Sequence, residues 1–229
     1  MPAPSPRYCR RVAYEHFVTS LRSLDETSAL VGAATAFSMH ALEGVHPGAV
    51  DEQLDALAVR VRRGRQTESR RATITHLHHV LFDKERFEGN QLDYYDPGNS
   101  YLPTVLATRR GIPISLALVY KAVAERLDVE VTGIGAPGHF LVRVEDESGP
   151  LLIDPFHKGR MLSEEEAFKL MEATLGAQVP RAAELLQPVG HAAWLVRMLR
   201  NLEAIHTRRA QPRDAAAMAE LRQLAELQA

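Results

Sequence analysis

Three residues near the middle of the chain have the types that acyl transfer requires: Ser115, His139 and Asp154. Nucleophilic catalysis needs a hydroxyl or thiol, a base within hydrogen-bond reach, and a third group that fixes the imidazole's tautomer and orientation. Ser115 opens the run SLALVYKAVAERL, which is apolar on several faces and reads as a helix buried in the domain centre. Backbone dipoles at such a helix start favour negative charge on a nucleophile or an oxyanion. His139 starts a strand-like segment in PGHFLVR, and Asp154 ends the next one in LLIDPF. Antiparallel pairing across the EDESGP turn would set an imidazole beside its orienting carboxylate. Structural roles compete at each position. Ser is a preferred N-cap, a core histidine can bond to backbone, and Asp before Pro155 is a turn former.

A second group lies upstream, in FEGNQLDYYDPGNSYLP. Asn90, Tyr94, Tyr95 and Asn99 either line a cleft and supply an oxyanion donor, or hold a loop together by hydrogen bonds, which is the more ordinary use of such residues. His76, His78 and His79 form a tempting cluster, but no neighbouring carboxylate or cysteine completes a ligand set, so no metal is expected. No cofactor motif is present. Cys9 sits far away on a basic segment and is read as incidental. The Trp194, Leu195, Met198, Leu199, Leu202 and Ile205 stripe has the spacing of a packed helix face.

Several helices must precede these residues, because from Cys9 to about Phe82 apolar positions recur at helical spacing, as in Ala29, Leu30, Ala33, Phe37 and in Leu54, Leu57, Val61. Asp25 is the expected N-cap of the helix beginning ETSALV, GVHPG a break, and GRQTESRRA an Arg-rich turn into the helix TITHLHHVLF. After the central helix, EVTGIG, GHFLVRVED and GPLLIDPF carry the β-branched and aromatic residues of an antiparallel sheet. Ser163 with Glu166 forms a capping box that opens a further helix. The last two helices, WLVRMLRNLEAIHTRR and AAAMAELRQLAEL, flank a QPRD turn and look like one tetratricopeptide-type pair. A single pair cannot bury its own face, so it must pack on the core or on a partner.

At 229 residues and 45% hydrophobic content the chain can bury a sizeable core. A net charge of -2 gives no field that would draw in nucleic acid or an anionic membrane. The cluster Arg60, Arg62, Arg63, Arg65, Arg70 and Arg71 is read as solvated helix ends and linker. One cysteine cannot form an internal disulfide, and no segment has the apolar length of an export signal or a membrane span, so a cytoplasmic location is expected.

The string YYDPGNSYLPTVLATRRGIPISLALVYKAVAERL, followed by PGHFLVR and LIDPF, resembles the transglutaminase-like core of the bacterial SirB-type proteins over roughly residues 75–162. The resemblance implies an α+β fold with a transglutaminase/cysteine-protease-like core of central helix and antiparallel sheet. A helical N-terminal region (1–74) and a helical C-terminal extension (163–229, with the tetratricopeptide-like pair near 191–229) would flank it. It also implies that Ser115 stands where the wider superfamily has a nucleophilic cysteine, while His139 and Asp154 are retained. A serine hydroxyl keeps its proton until a base removes it during attack, whereas a thiol can ionise beforehand. The expectation therefore leans to a non-catalytic adaptor or regulator that binds a protein or peptide. The alternative is a Ser-His-Asp acyl hydrolase or amidase acting on peptide or amide groups.

Overall fold

Every residue from Pro113 to Ala124 is buried, so the helix they form is surrounded on all sides and the remaining elements are arranged about it. The structure, a computed structural model, describes residues 5–64, 69–147 and 149–228. Four helices come first: α1 (Arg11–Ser20), α2 (Thr27–Ala41), α3 (Pro47–Gly64) and α4 (Arg70–His78), the last running into a π-helical turn, His79–Lys84. α2 starts after Glu26 rather than Asp25 and makes no side-chain cap bond, because burial of its apolar faces sets its place. Arg65 and the middle of the Arg-rich turn lie outside the described residues.

The loop-rich segment holds a short parallel pair, β1 (Glu88–Gly89) with β2 (Arg110–Gly111), around the helix α5 (Leu102–Thr108). The central helix, α6, spans Pro113–Glu125. It begins two residues before Ser115, with proline at a first-turn position where its missing N–H costs nothing. The sheet follows: β3 (Val131–Ile134), β4 (Leu141–Asp146), β5 (Gly149–Asp154), β6 (Arg160–Leu162) and β7 (Pro188–Val189), ordered β6-β5-β4-β3-β7 and antiparallel throughout. Mixed helices and an antiparallel sheet make this an α+β protein.

Side chains alternate across the sheet. Val142, Val144 and Ile153 enter the main core with α6, while Leu141 and Leu152 join a second cluster with Phe168 and Met171 of α7 (Glu164–Leu175) on the other face. The Ser163–Glu166 capping box opens α7 as the sequence indicates. The last helices, α8 (His191–Arg208) and α9 (Pro212–Glu226), pack on each other and on the first helices. The stripe on α8 is core: Trp194 is fully buried against Phe140, its ring 4.6 Å away, and a Cβ on Gly133 would come within 2.4 Å of the indole. A single core cluster runs from Cys9 to Ala225, so the helical ends and the sheet share one interior. The Glu220 carboxylate on α9 fastens the N-terminal segment by accepting the backbone amides of Arg7, Tyr8 and Cys9 at 2.7–3.1 Å.

Candidate functional site

The β4–β5 hairpin delivers His139 and Asp154 to the same place. Asp154 ends β5 and caps the 3-10 turn Pro155–His157, its Oδ1 accepting the amides of Phe156 at 3.0 Å and His157 at 3.3 Å. His139, just before β4, sets its Nε2 3.0 Å from the same Oδ1. The turn also swings His157 back, so its Nδ1 lies 2.6 Å from Asp154 Oδ2. One carboxylate therefore serves two imidazoles, whose rings stack 5.8 Å apart, with Phe156 edge-on to both.

The carboxylate is 1% exposed and His139 is 4% exposed, whereas His157 reaches the surface. Burial alone would raise the Asp154 pKa, but hydrogen bonds and charge from His139 and His157 outweigh it and hold the carboxyl far below its ordinary range. The hydrogen bond to Asp154 raises the His157 pKa against partial burial. Asp154 and His157 line a cleft of about 330 Å3 with Arg160, Glu166 and Lys169.

Ser115 directs its hydrogen bonds elsewhere. It is the third residue of α6, 0% exposed, and its Oγ donates to the Asn99 carbonyl at 2.6 Å, with the Ile112 carbonyl at 3.0 Å. The same oxygen accepts the Ile112 amide at 3.1 Å. This is a capping interaction that reaches back to the residue before the helix, rather than forward to the first-turn amides. Gly111 leaves room for it, since a Cβ there would lie 2.6 Å from Oγ. Among the described residues Ser115 and His139 share no hydrogen bond.

Asn90 and Asn99 are held by each other, Asn90 Nδ2 donating to Asn99 Oδ1 at 2.9 Å, while Asn99 Nδ2 donates to the carbonyls of Asp93 and Tyr94. Both amides are occupied in tying the loop. Tyr94 packs edge-on to Phe156, linking the loop to the His-Asp cluster. Tyr94 and Tyr95 line a separate cleft of about 180 Å3 with Ile112, Asn201 and Ile205, and Arg208 lies over the Tyr95 ring.

The upstream histidines diverge. His78 turns inward to the Tyr120 hydroxyl at 2.9 Å, and His79 pairs with Asp83 on its own helix. Much of the arginine cluster is paired internally, Arg60 with Glu85 and Arg71 with Asp146. Cys9 is buried, and its thiol is pushed up to about 12 by burial and by Glu220. Sequence reasoning missed His157. Its signal was the spacing Asp154-Pro155-Phe156-His157, in which an aspartate-capped turn returns the fourth residue to the cap.

No helix among the described residues is long and apolar enough to cross a membrane. A family model described as the Transglutaminase-like superfamily matches residues 48–200, a wider span than the resemblance read from the motifs. The chain is 46% identical over 129 residues to a UPF0162 protein of Xylella fastidiosa (strain 9a5c), covering 55% of this chain and 46% of the relative. It is 35% identical over 116 residues to the UPF0162 protein PA3419 of Pseudomonas aeruginosa, covering 51% of this chain and 42% of the relative. It is also 36% identical over 140 residues to F-box only protein 21 of Homo sapiens, covering 58% of this chain and 21% of that protein. The chain thus spans less than half the length of these curated relatives. No solved structure matches. With the matched region reaching from α3 into α8 and enclosing the His-Asp pair, the chain belongs to the Transglutaminase-like superfamily.

Proposed function

We propose that this chain is a protein- or peptide-binding member of the SirB-type branch, with a cysteine-protease-like core arrangement, acting in the cytoplasm as an adaptor or regulator rather than through Ser115 as a nucleophile. The observation that carries this reading is the Ser115 hydroxyl, fully buried and bonded to the Asn99 carbonyl at 2.6 Å. A nucleophile needs a base and open space, whereas this hydroxyl is buried and spends its hydrogen bonds on the backbone. The binding surface is the rim formed by Leu92, Tyr94 and Tyr95, exposed by 91%, 37% and 56%, beside the Ile112–Ile205 cleft. Aromatic side chains with a polar tip are the common anchors of peptide recognition. Of the tetratricopeptide-like pair, α8 supplies one wall of that cleft through Asn201, Ile205 and Arg208. Recurrence of the matched region in the much longer F-box only protein 21 suits a module that functions within different chains.

The second reading, a Ser-His-Asp hydrolase acting on peptide or amide groups, is favoured by one observation, the retained His139–Asp154 pair at 3.0 Å. A fluorophosphonate probe separates the two. The binding reading expects no label at Ser115, and selection from a random peptide library should yield ligands whose affinity falls at least about tenfold in Tyr95→Ala. Labelling at Ser115 that is lost in Ser115→Ala and in His139→Ala, with each variant still folded, would establish the hydrolase instead.

A further inference from the structure

A catalytic pair uses one imidazole per carboxylate. Here the second oxygen of Asp154 is engaged by a second imidazole, His157, which neither functional reading requires. His139 Nε2, an Asp154 oxygen and His157 Nδ1 all lie within 4.8 Å of one another, on three side chains whose backbones are fixed by a strand end, a hairpin and a capped turn. We propose that His139, Asp154 and His157 form a three-ligand site for a divalent transition-metal ion of zinc-like character. The inference is independent of the tyrosine rim, and an ion held by His139 Nε2 would leave the other ring nitrogen protonated and so take His139 out of use as a base for Ser115.

The donor set fits such an ion. Two imidazole nitrogens and one carboxylate are the ligands of many open zinc sites and of facial-triad sites, whereas calcium and magnesium prefer all-oxygen shells. Bonds of about 2.0–2.1 Å in tetrahedral geometry place ligand atoms roughly 3.3 Å apart. His139 Nε2 lies 3.0 Å from one carboxylate oxygen and His157 Nδ1 2.6 Å from the other, and with all three ligand atoms within 4.8 Å of one another, side-chain shifts of up to about 1.5 Å close the set around the ion. Each imidazole then turns a lone pair toward the metal and carries its proton on the opposite ring nitrogen. The two amides on Oδ1, from Phe156 and His157, hold the carboxylate in place, the outer support that ligating carboxylates commonly have. Phe156 forms an apolar wall, and the cleft with Arg160, Glu166 and Lys169 leaves one side open to water as a fourth ligand.

The test is a titration of the full chain with cobalt(II), followed by its visible d–d absorption and by displacement with zinc(II). The expected result is an intense four-coordinate band saturating at one ion per chain and lost on adding zinc. His157→Ala removes the exposed ligand without touching the buried pair and should weaken cobalt binding by at least about tenfold. A His76→Ala/His79→Ala double variant should bind as the wild type does. Absence of a band at millimolar cobalt, wild-type affinity in a folded His157→Ala, or loss of the band in the double variant would each overturn the proposal.

Discussion

Replacing Ser115 by alanine distinguishes a structural hydroxyl from a reactive one through stability alone. Its Oγ accepts the Ile112 amide and donates to the Asn99 carbonyl inside a region with no solvent access. Loss of a cap of this kind costs about 0.5–2 kcal/mol, and a buried group left without its partner about 1–3 kcal/mol. The two penalties overlap here, because the Ile112 amide also approaches the Asn99 carbonyl at 3.3 Å and keeps that longer bond in the variant. The expected loss is therefore about 1–3 kcal/mol. At about 2–4 °C per kcal/mol for a chain of this size, it lowers Tm by about 2–12 °C. Urea unfolding followed by circular dichroism, with equal m-values for the two proteins, is the assay. A hydroxyl facing an open site has no such bonds to lose, so midpoints agreeing within about 0.3 kcal/mol would refute the structural role of Ser115.

Further outcomes follow from other buried groups. Burial holds His78 down to about 4, so the unfolded chain takes up its proton first. The stability this group contributes is complete above about pH 6.5 and falls as the pH drops toward 4, by about 2 kcal/mol at pH 5. His78→Gln should flatten that part of the curve measured by urea titration, and an unchanged slope would assign it elsewhere. Asp154→Asn leaves two imidazoles without their shared charge and is expected to cost about 3–5 kcal/mol in thermal or urea unfolding. Glu220→Gln should speed hydrogen exchange at the amides of Arg7, Tyr8 and Cys9 while leaving the sheet amides protected. Native protein should resist alkylation at Cys9 until it unfolds, since little thiolate forms on a buried thiol with so high a pKa.

Local pattern carried much of this architecture. The strands containing Val131, Val142 and Ile153 and the helix through Tyr120 followed from β-branched enrichment and from an all-round apolar run. Ser163 with Glu166 was legible because a capping box is contained in four residues. The site was legible to the extent that its geometry is local. His139 and Asp154 meet because one hairpin joins them. Ser115 faces inward because Asn99, sixteen residues upstream, offers a carbonyl, and no spacing rule reveals that contact. Pro113 did mark the helix start, two residues earlier than the apolar run indicated. His157 escaped notice because its approach depends on the turn that Asp154 itself caps.

The grip of Glu220 on the first turn of the chain has a consequence for how the molecule is made. The three hydrogen bonds span 211–213 residues, so the contact closes nearly the whole chain into a ring. Closure entropy grows only slowly with length, but a contact of this separation cannot form until its distant partner has left the ribosome. During synthesis α1 can pack on α2 early, but the segment Arg7–Cys9 waits for its anchor until α9 has emerged. A chain cut before residue 220 lacks that anchor, so the backbone of residues 7–9 stays open to exchange and to proteolysis.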